Sequence, residues 1–172
     1  VSLLVGLLSA IISLCIGVPL GLLAGYYKGI WETIVMRAAD IFMSFPSMIL
    51  ILVLVSLIGP SVWTVTLVIG VLGWTDFAKL IYGNVLSVRE KEYVESAKAV
   101  GTKDLAILIK YIIPNAFAPI LINFTFRTAQ AIIQESALSF LGMGVQPPQA
   151  SWGNLLYAAQ SITVLSSKPW LW

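Results

Sequence analysis

From Val1 to Tyr27 this chain carries no charged residue, and a second charge-free run extends from Ile41 to Thr75. Runs of that length leave little choice of solvent. About 20 consecutive apolar residues suffice for a helix to cross a hydrocarbon core about 30 Å thick. Within such a core a helix satisfies every backbone N–H and C=O from its own segment. Composition agrees: 59% of the 172 residues are hydrophobic and 10% are charged, against about 25% charged in an ordinary soluble domain. The expected fold is an all-α, polytopic bundle of membrane helices.

Four spans are expected, at about 3–26, 38–58, 62–83 and 115–138. The long second run is divided because Gly59-Pro60-Ser61 punctuates it. Pro19 is expected to bend the first span and Pro46 the second. The fourth contains Arg127 and Glu135. Arginine at a helix centre costs about 2.5–3.5 kcal/mol on insertion scales, which apolar neighbours can offset. The chain starts and stops inside apolar runs, so it is expected to be a fragment of one transmembrane domain, 1–172, with its terminal spans missing.

Eight of the ten basic residues fall in two connections: Lys28 and Arg37 in the first, and Lys79, Arg89, Lys91, Lys98, Lys103 and Lys110 at or within the third. An even number of crossings separates them, so they share one side, which the positive-inside rule makes cytoplasmic. The Gly59-Pro60-Ser61 turn and the tail 139–172 then lie outside, with a short surface helix expected over 152–165.

Two patterns mark the membrane segments. Ser9, Ser13, Gly17, Gly21 and Gly25 recur every fourth residue in the first span, a face of small side chains that admits a close neighbour from this chain or a second subunit. Asn123, Arg127, Gln130 and Gln134 form a narrow polar stripe on the fourth. It suits a translocation path or subunit interface, and equally ordinary interhelical hydrogen bonds. Glu135 points away from it, with capping, packing and transport all open.

No Walker pattern, dinucleotide fingerprint or nucleophile elbow occurs, and there is no histidine. The one cysteine, Cys15, lies in an apolar run and reads as a small buried apolar side chain. An enzyme is therefore not expected.

The connection 84–114 is the unusual part. Residues 88–100 have helical spacing, with Tyr93, Ala97 and Val100 on one face. Gly101 is suited to a C-cap and Thr102 to the N-cap of a second short helix, whose apolar stripe is Leu105, Leu108, Ile109 and Ile112. Pro114 marks the start of the next span. A nucleic-acid reader is not expected, because Arg89 to Lys110 holds five basic and four acidic residues, too balanced to grip phosphates. An interfacial hairpin and a docking element for a soluble partner both fit.

ESAKAVG, followed nine residues later by YIIP, resembles the EAA motif of the membrane permease subunits of bacterial ABC importers. Glu95, Ala97, Gly101 and Pro114 match in identity and spacing; Ser96 replaces an alanine, Tyr111 an isoleucine and Ile113 a leucine. ESALSFLGMGVQPPQASWGNLL, from Glu135 to Leu156, is similar to the signature of the dipeptide, oligopeptide and nickel branch.

The resemblance implies a permease subunit of an ATP-driven importer in the bacterial cytoplasmic (inner) membrane, importing peptides or a related small solute such as a nickel chelate. It implies that 84–114 is the coupling loop, with Glu95, Ser96, Ala97, Gly101 and Pro114 as its key positions. It implies partners as well: a second permease subunit, two cytoplasmic ATPase subunits holding ATP and Mg, and an extracytoplasmic solute-binding protein. No cofactor is expected in this chain. The rival readings are a passive channel whose polar stripe lines a pore, or a helical membrane scaffold.

Overall fold

The structure, a computed structural model, is described for residues 1–161, 166 and 170. Among the described residues it is wholly helical. In chain order the helices are α1 Ser2–Tyr27, α2 Gly29–Met43, α3 Ser47–Ile58, α4 Val62–Leu72, α5 Trp74–Arg89, α6 Glu92–Ala99, α7 Asp104–Ile107, α8 Ile113–Phe140 and α9 Trp152–Ala158. A π-helical turn, Leu108–Ile112, joins α7 to α8.

Among the described residues three rods are long and apolar enough to cross a membrane: α1, the α4–α5 pair over 28 residues, and Asp104–Phe140 over 37 residues; the bent α2–α3 pair makes a fourth if it is one broken span. At 1.5 Å per residue α1 alone is about 39 Å long. It continues through Pro19 as one helix. The segment expected as a single span at 38–58 is instead two helices. α2 and α3 meet at 86° across Ser44-Phe45-Pro46. Proline accounts for the break, since the residue before it is disfavoured in the helical region.

α1 is the central element, packed most extensively on α5 and then on α8 and α4. Its small-residue face lies in that seam. Ser9 Oγ donates to the Thr66 carbonyl at 3.0 Å and Ser13 Oγ to the Gly70 carbonyl at 2.7 Å. A Cβ on Gly21 would stand 2.6 Å from the Ala78 carbonyl oxygen, and one on Gly25 would stand 2.7 Å from Val85 Cβ. Nothing larger than hydrogen fits at these positions, so the seam can be this close only because the sequence is small there. The stripe therefore serves packing within this chain.

At the end of the bundle where the basic residues gather, one apolar cluster ties α1, α5, α6 and the Asp104–Phe140 rod together through Tyr26, Phe77, Val94, Ile107 and Ile112. At the other end the signature Glu135–Leu156 is a packed corner. Glu135 is 0% exposed, and one of its oxygens accepts from Ser139 Oγ at 2.7 Å. Ser139 Oγ in turn accepts from the Val145 N–H at 3.0 Å. Ser151 caps α9 by accepting from Asn154 N–H at 3.1 Å. The short outer helix ends at Ala158, and its expected continuation over 162–165 lies outside the described residues.

Candidate functional site

The charged connection forms a compact elbow. α6 is held by Val94 and Ala97, both buried, and leaves Glu95, Ser96, Ala99 and Val100 exposed. It ends in a Schellman turn: Gly101 N–H donates to the Lys98 carbonyl at 2.9 Å and Thr102 N–H to the Ala97 carbonyl at 3.0 Å. Gly101 stands at φ +79°, the left-handed region. Glycine enters it without the steric cost a Cβ carries.

Details of the elbow differ from sequence expectation. Val100 is not on the buried face; the turn at Gly101 swings it outward to 82% exposure, and Val94 takes its place inside. Thr102 does not cap the next helix, whose N-cap is Lys103 without a side-chain bond. The buried stripe is Ile107, Leu108 and Ile112, while Leu105 and Ile109 are exposed. The departures at Leu105 and Ile107 lie in the short helix α7, ahead of the π turn, within which Leu108 and Ile112 are both buried as expected. Pro114 falls in the first turn of α8, as expected for the start of that helix. It lies just past the π turn within one continuous rod, where the missing proline N–H removes one rung.

Side chains from four elements latch this elbow to α1. Tyr26 OH donates to Asp104 Oδ1 at 2.6 Å, and Lys98 Nζ lies 5.2 Å above the Tyr26 ring. Arg89 Nη1 donates to the carbonyls of Gly25 and Tyr26, both at 3.1 Å. A cation on the last carbonyls of α1 also complements the negative end of that helix. None of Tyr26, Arg89 and Asp104 stands out in the sequence, since each is an ordinary polar residue near a span end.

The polar stripe divides. Arg127, Gln130 and Gln134 line a cavity of about 300 Å³ that opens at the α2–α3 bend, with Phe42, Phe45 and Asp76 among its other walls. Asn123 is not among its lining residues, and its amide nitrogen is buried without a hydrogen-bond partner among the described residues. Arg127 is 5% exposed. Its Nη2 donates to the Ile69 carbonyl at 2.8 Å, its Nη1 to Gln130 Oε1 at 3.1 Å, and it faces Asp76 at 3.7 Å. Gly73 makes room for it, since a Cβ there would collide with the guanidinium. Asp76 was discoverable. A buried arginine in a span needs an acid, and Asp76 closes the charge-free run that starts at Ile41.

Residues 17–167 match the family model described as "Binding-protein-dependent transport system inner membrane component". The chain is similar to a glutathione transport system permease protein, GsiD, of Pectobacterium atrosepticum, at 37% identity over 96% of this chain and 55% of that protein. A Brucella ovis protein named as a peptide permease is 39% identical over 100% of this chain and 57% of its own length. The chain thus spans little more than half the length of these relatives. Its fold is similar to that in the crystal structure of an amino acid ABC transporter with histidines: TM-score 0.71, 15% identity, 99% of this chain and 79% of the other covered.

Proposed function

The chain belongs to the family of binding-protein-dependent transport system inner membrane components, and on that premise we propose that it is a permease subunit of an ATP-driven importer, with α6 as its coupling helix. It is a multi-pass inner-membrane protein. The family is a membrane component of a transport system, and ATP hydrolysis is assigned here to separate subunits.

One observation carries the coupling role. α6 is anchored on its inner side and bare on its outer side, and it is joined through a single glycine turn to a rod of 37 residues that carries Arg127. Of two ATPase subunits holding ATP and Mg, one would take Glu95, Ser96 and Val100 into a surface cleft. Their closure would move α6, and the helical continuity from Asp104 to Phe140 would carry that motion to the cavity. The exposed apolar side chain of Val100 beside Glu95 suits a partner groove. A passive channel leaves this elbow without a role.

Solute would arrive from a binding protein on the opposite face and pass between this chain and a second permease subunit. The relatives' names support a short peptide or glutathione as cargo, and no observation favours a nickel chelate. The test is ATP-dependent uptake of glutathione and of short peptides into proteoliposomes that hold the full-length protein with its partner subunits and binding protein. Uptake that proceeds equally without ATP would return the channel reading.

A further inference from the structure

The cavity at the α2–α3 bend contains a carboxylate that coupling does not use. Asp76 is the fifteenth residue of the 28-residue α4–α5 rod, near its mid-height. Its side chain is 39% exposed, whereas that of Arg127, 3.7 Å away, is 5% exposed. That separation makes an ion pair without a hydrogen bond. Arg127 commits Nη2 to Ile69 and Nη1 to Gln130, and its guanidinium lies over Gly73. The positive charge is thus turned into the protein and the negative one into the cavity. No other charged residue lines this cavity among the described residues, and Phe42 and Phe45 stand in its wall. Aromatic faces attract cations, and Arg127, paired with Asp76 at 3.7 Å without a hydrogen bond, leaves the Asp76 oxygens available to a second donor.

We infer that this cavity is a solute-contact site for a primary ammonium group, such as the amino terminus of a short peptide, with Asp76 as the contacting residue and Arg127 as a positioning residue. The inference rests on the importer reading and names the part of the solute that this site takes. About 300 Å³ lies at the lower end of the range for small-molecule sites, about 300–1,000 Å³. It suits one end of a peptide rather than a long chain.

Charge-selective thiol labelling tests it without any transport measurement. In the full-length protein within its complex, Ser47→Cys places a thiol on the cavity wall, in a background with the other cysteines replaced by serine, among them Cys15, which is exposed and not buried as the sequence suggests. The aminoethyl (cationic), sulfonatoethyl (anionic) and methyl (uncharged) methanethiosulfonates are compared, each rate normalised to that of a free thiol. The cationic reagent should be favoured over the uncharged one by about tenfold, the scale set by one unit charge roughly 10 Å away at an effective dielectric of about 20, and the anionic one disfavoured by about as much. Asp76→Asn, which leaves Arg127 without its counter-ion, should abolish the cationic preference, and Asp76→Glu should keep it. The methyl reagent reports whether the cavity wall is still formed. Alanyl-alanine should slow labelling more than N-acetyl-alanyl-alanine.

A ratio that Asp76→Asn leaves unchanged, a preference for the anionic reagent, or equal protection by the two peptides overturns the assignment. Uptake is measured separately: failure of ATP-dependent uptake in the unmodified protein sinks the importer reading, while the labelling ratio still reports the cavity's charge.

Discussion

Gly101 stands at φ +79°, and a Cβ built on it meets no atom within 4 Å. Substitution there is therefore a test of backbone strain alone, worth about 1–2 kcal/mol in the left-handed region. Gly101→Val should insert at normal levels and lose ATP-driven uptake, whereas Gly101→Asn, which tolerates that region better, should retain more of it. Full uptake together with substrate-stimulated ATP hydrolysis in Gly101→Val would remove the elbow from the mechanism. Gly73 is the opposite case. Its φ of −80° is ordinary, and what matters is the guanidinium lying against it. Gly73→Ala should lower the unfolding midpoint in detergent, and adding Arg127→Met should restore part of the loss. Contacting residues typically couple by about 0.5–3 kcal/mol, so strictly additive effects in this double-mutant cycle would contradict the packing described.

Between elements, the α1 seam and its latch carry distinct expectations. In Tyr26→Phe, Asp104 loses the hydroxyl that donates at 2.6 Å; because Asp104 is exposed and water can replace it, the loss is about 0.5–1.5 kcal/mol. The α6–α7 elbow should then open more readily, read as several-fold faster tryptic cleavage at Lys98 or Lys103. An unchanged rate would mean that the latch does not hold the elbow. Gly21→Leu should be more damaging, because its Cβ already overlaps Ala78 backbone; a Gly21→Leu protein with the original unfolding midpoint would disprove the close α1–α5 contact. Most of this level was legible in the sequence. The charge-free run Val1–Tyr27 corresponds to α1, the four-residue repeat of small side chains to the seam, and Gly101 to the turn. The missed parts share a cause. Spacing arguments assume a regular 3.6 repeat, and they fail at the short α7 and the π turn that follows it, whereas the 86° bend at Pro46 is the one the sequence suggests. Likewise, Tyr26–Asp104 and Arg127–Asp76 join residues far apart in the chain, which local periodicity cannot pair.

For the whole molecule, the elbow and the cavity lie on one covalent path. Asp104–Phe140 begins at the latch on α1 and passes Arg127, Gln130 and Gln134 before reaching the buried Glu135–Ser139 corner. A push at α6 has a stiff element to follow, and the α2–α3 bend forms the facing wall. The most direct measurement is site-specific photo-crosslinking from Ser96 in the full-length protein within intact cells, with the adduct identified by mass spectrometry. A cytoplasmic ATPase subunit, captured in amounts that change between ATP-replete and ATP-depleted cells, is the predicted product. An adduct with an extracytoplasmic protein, or lipid adducts alone under both conditions, would contradict the account.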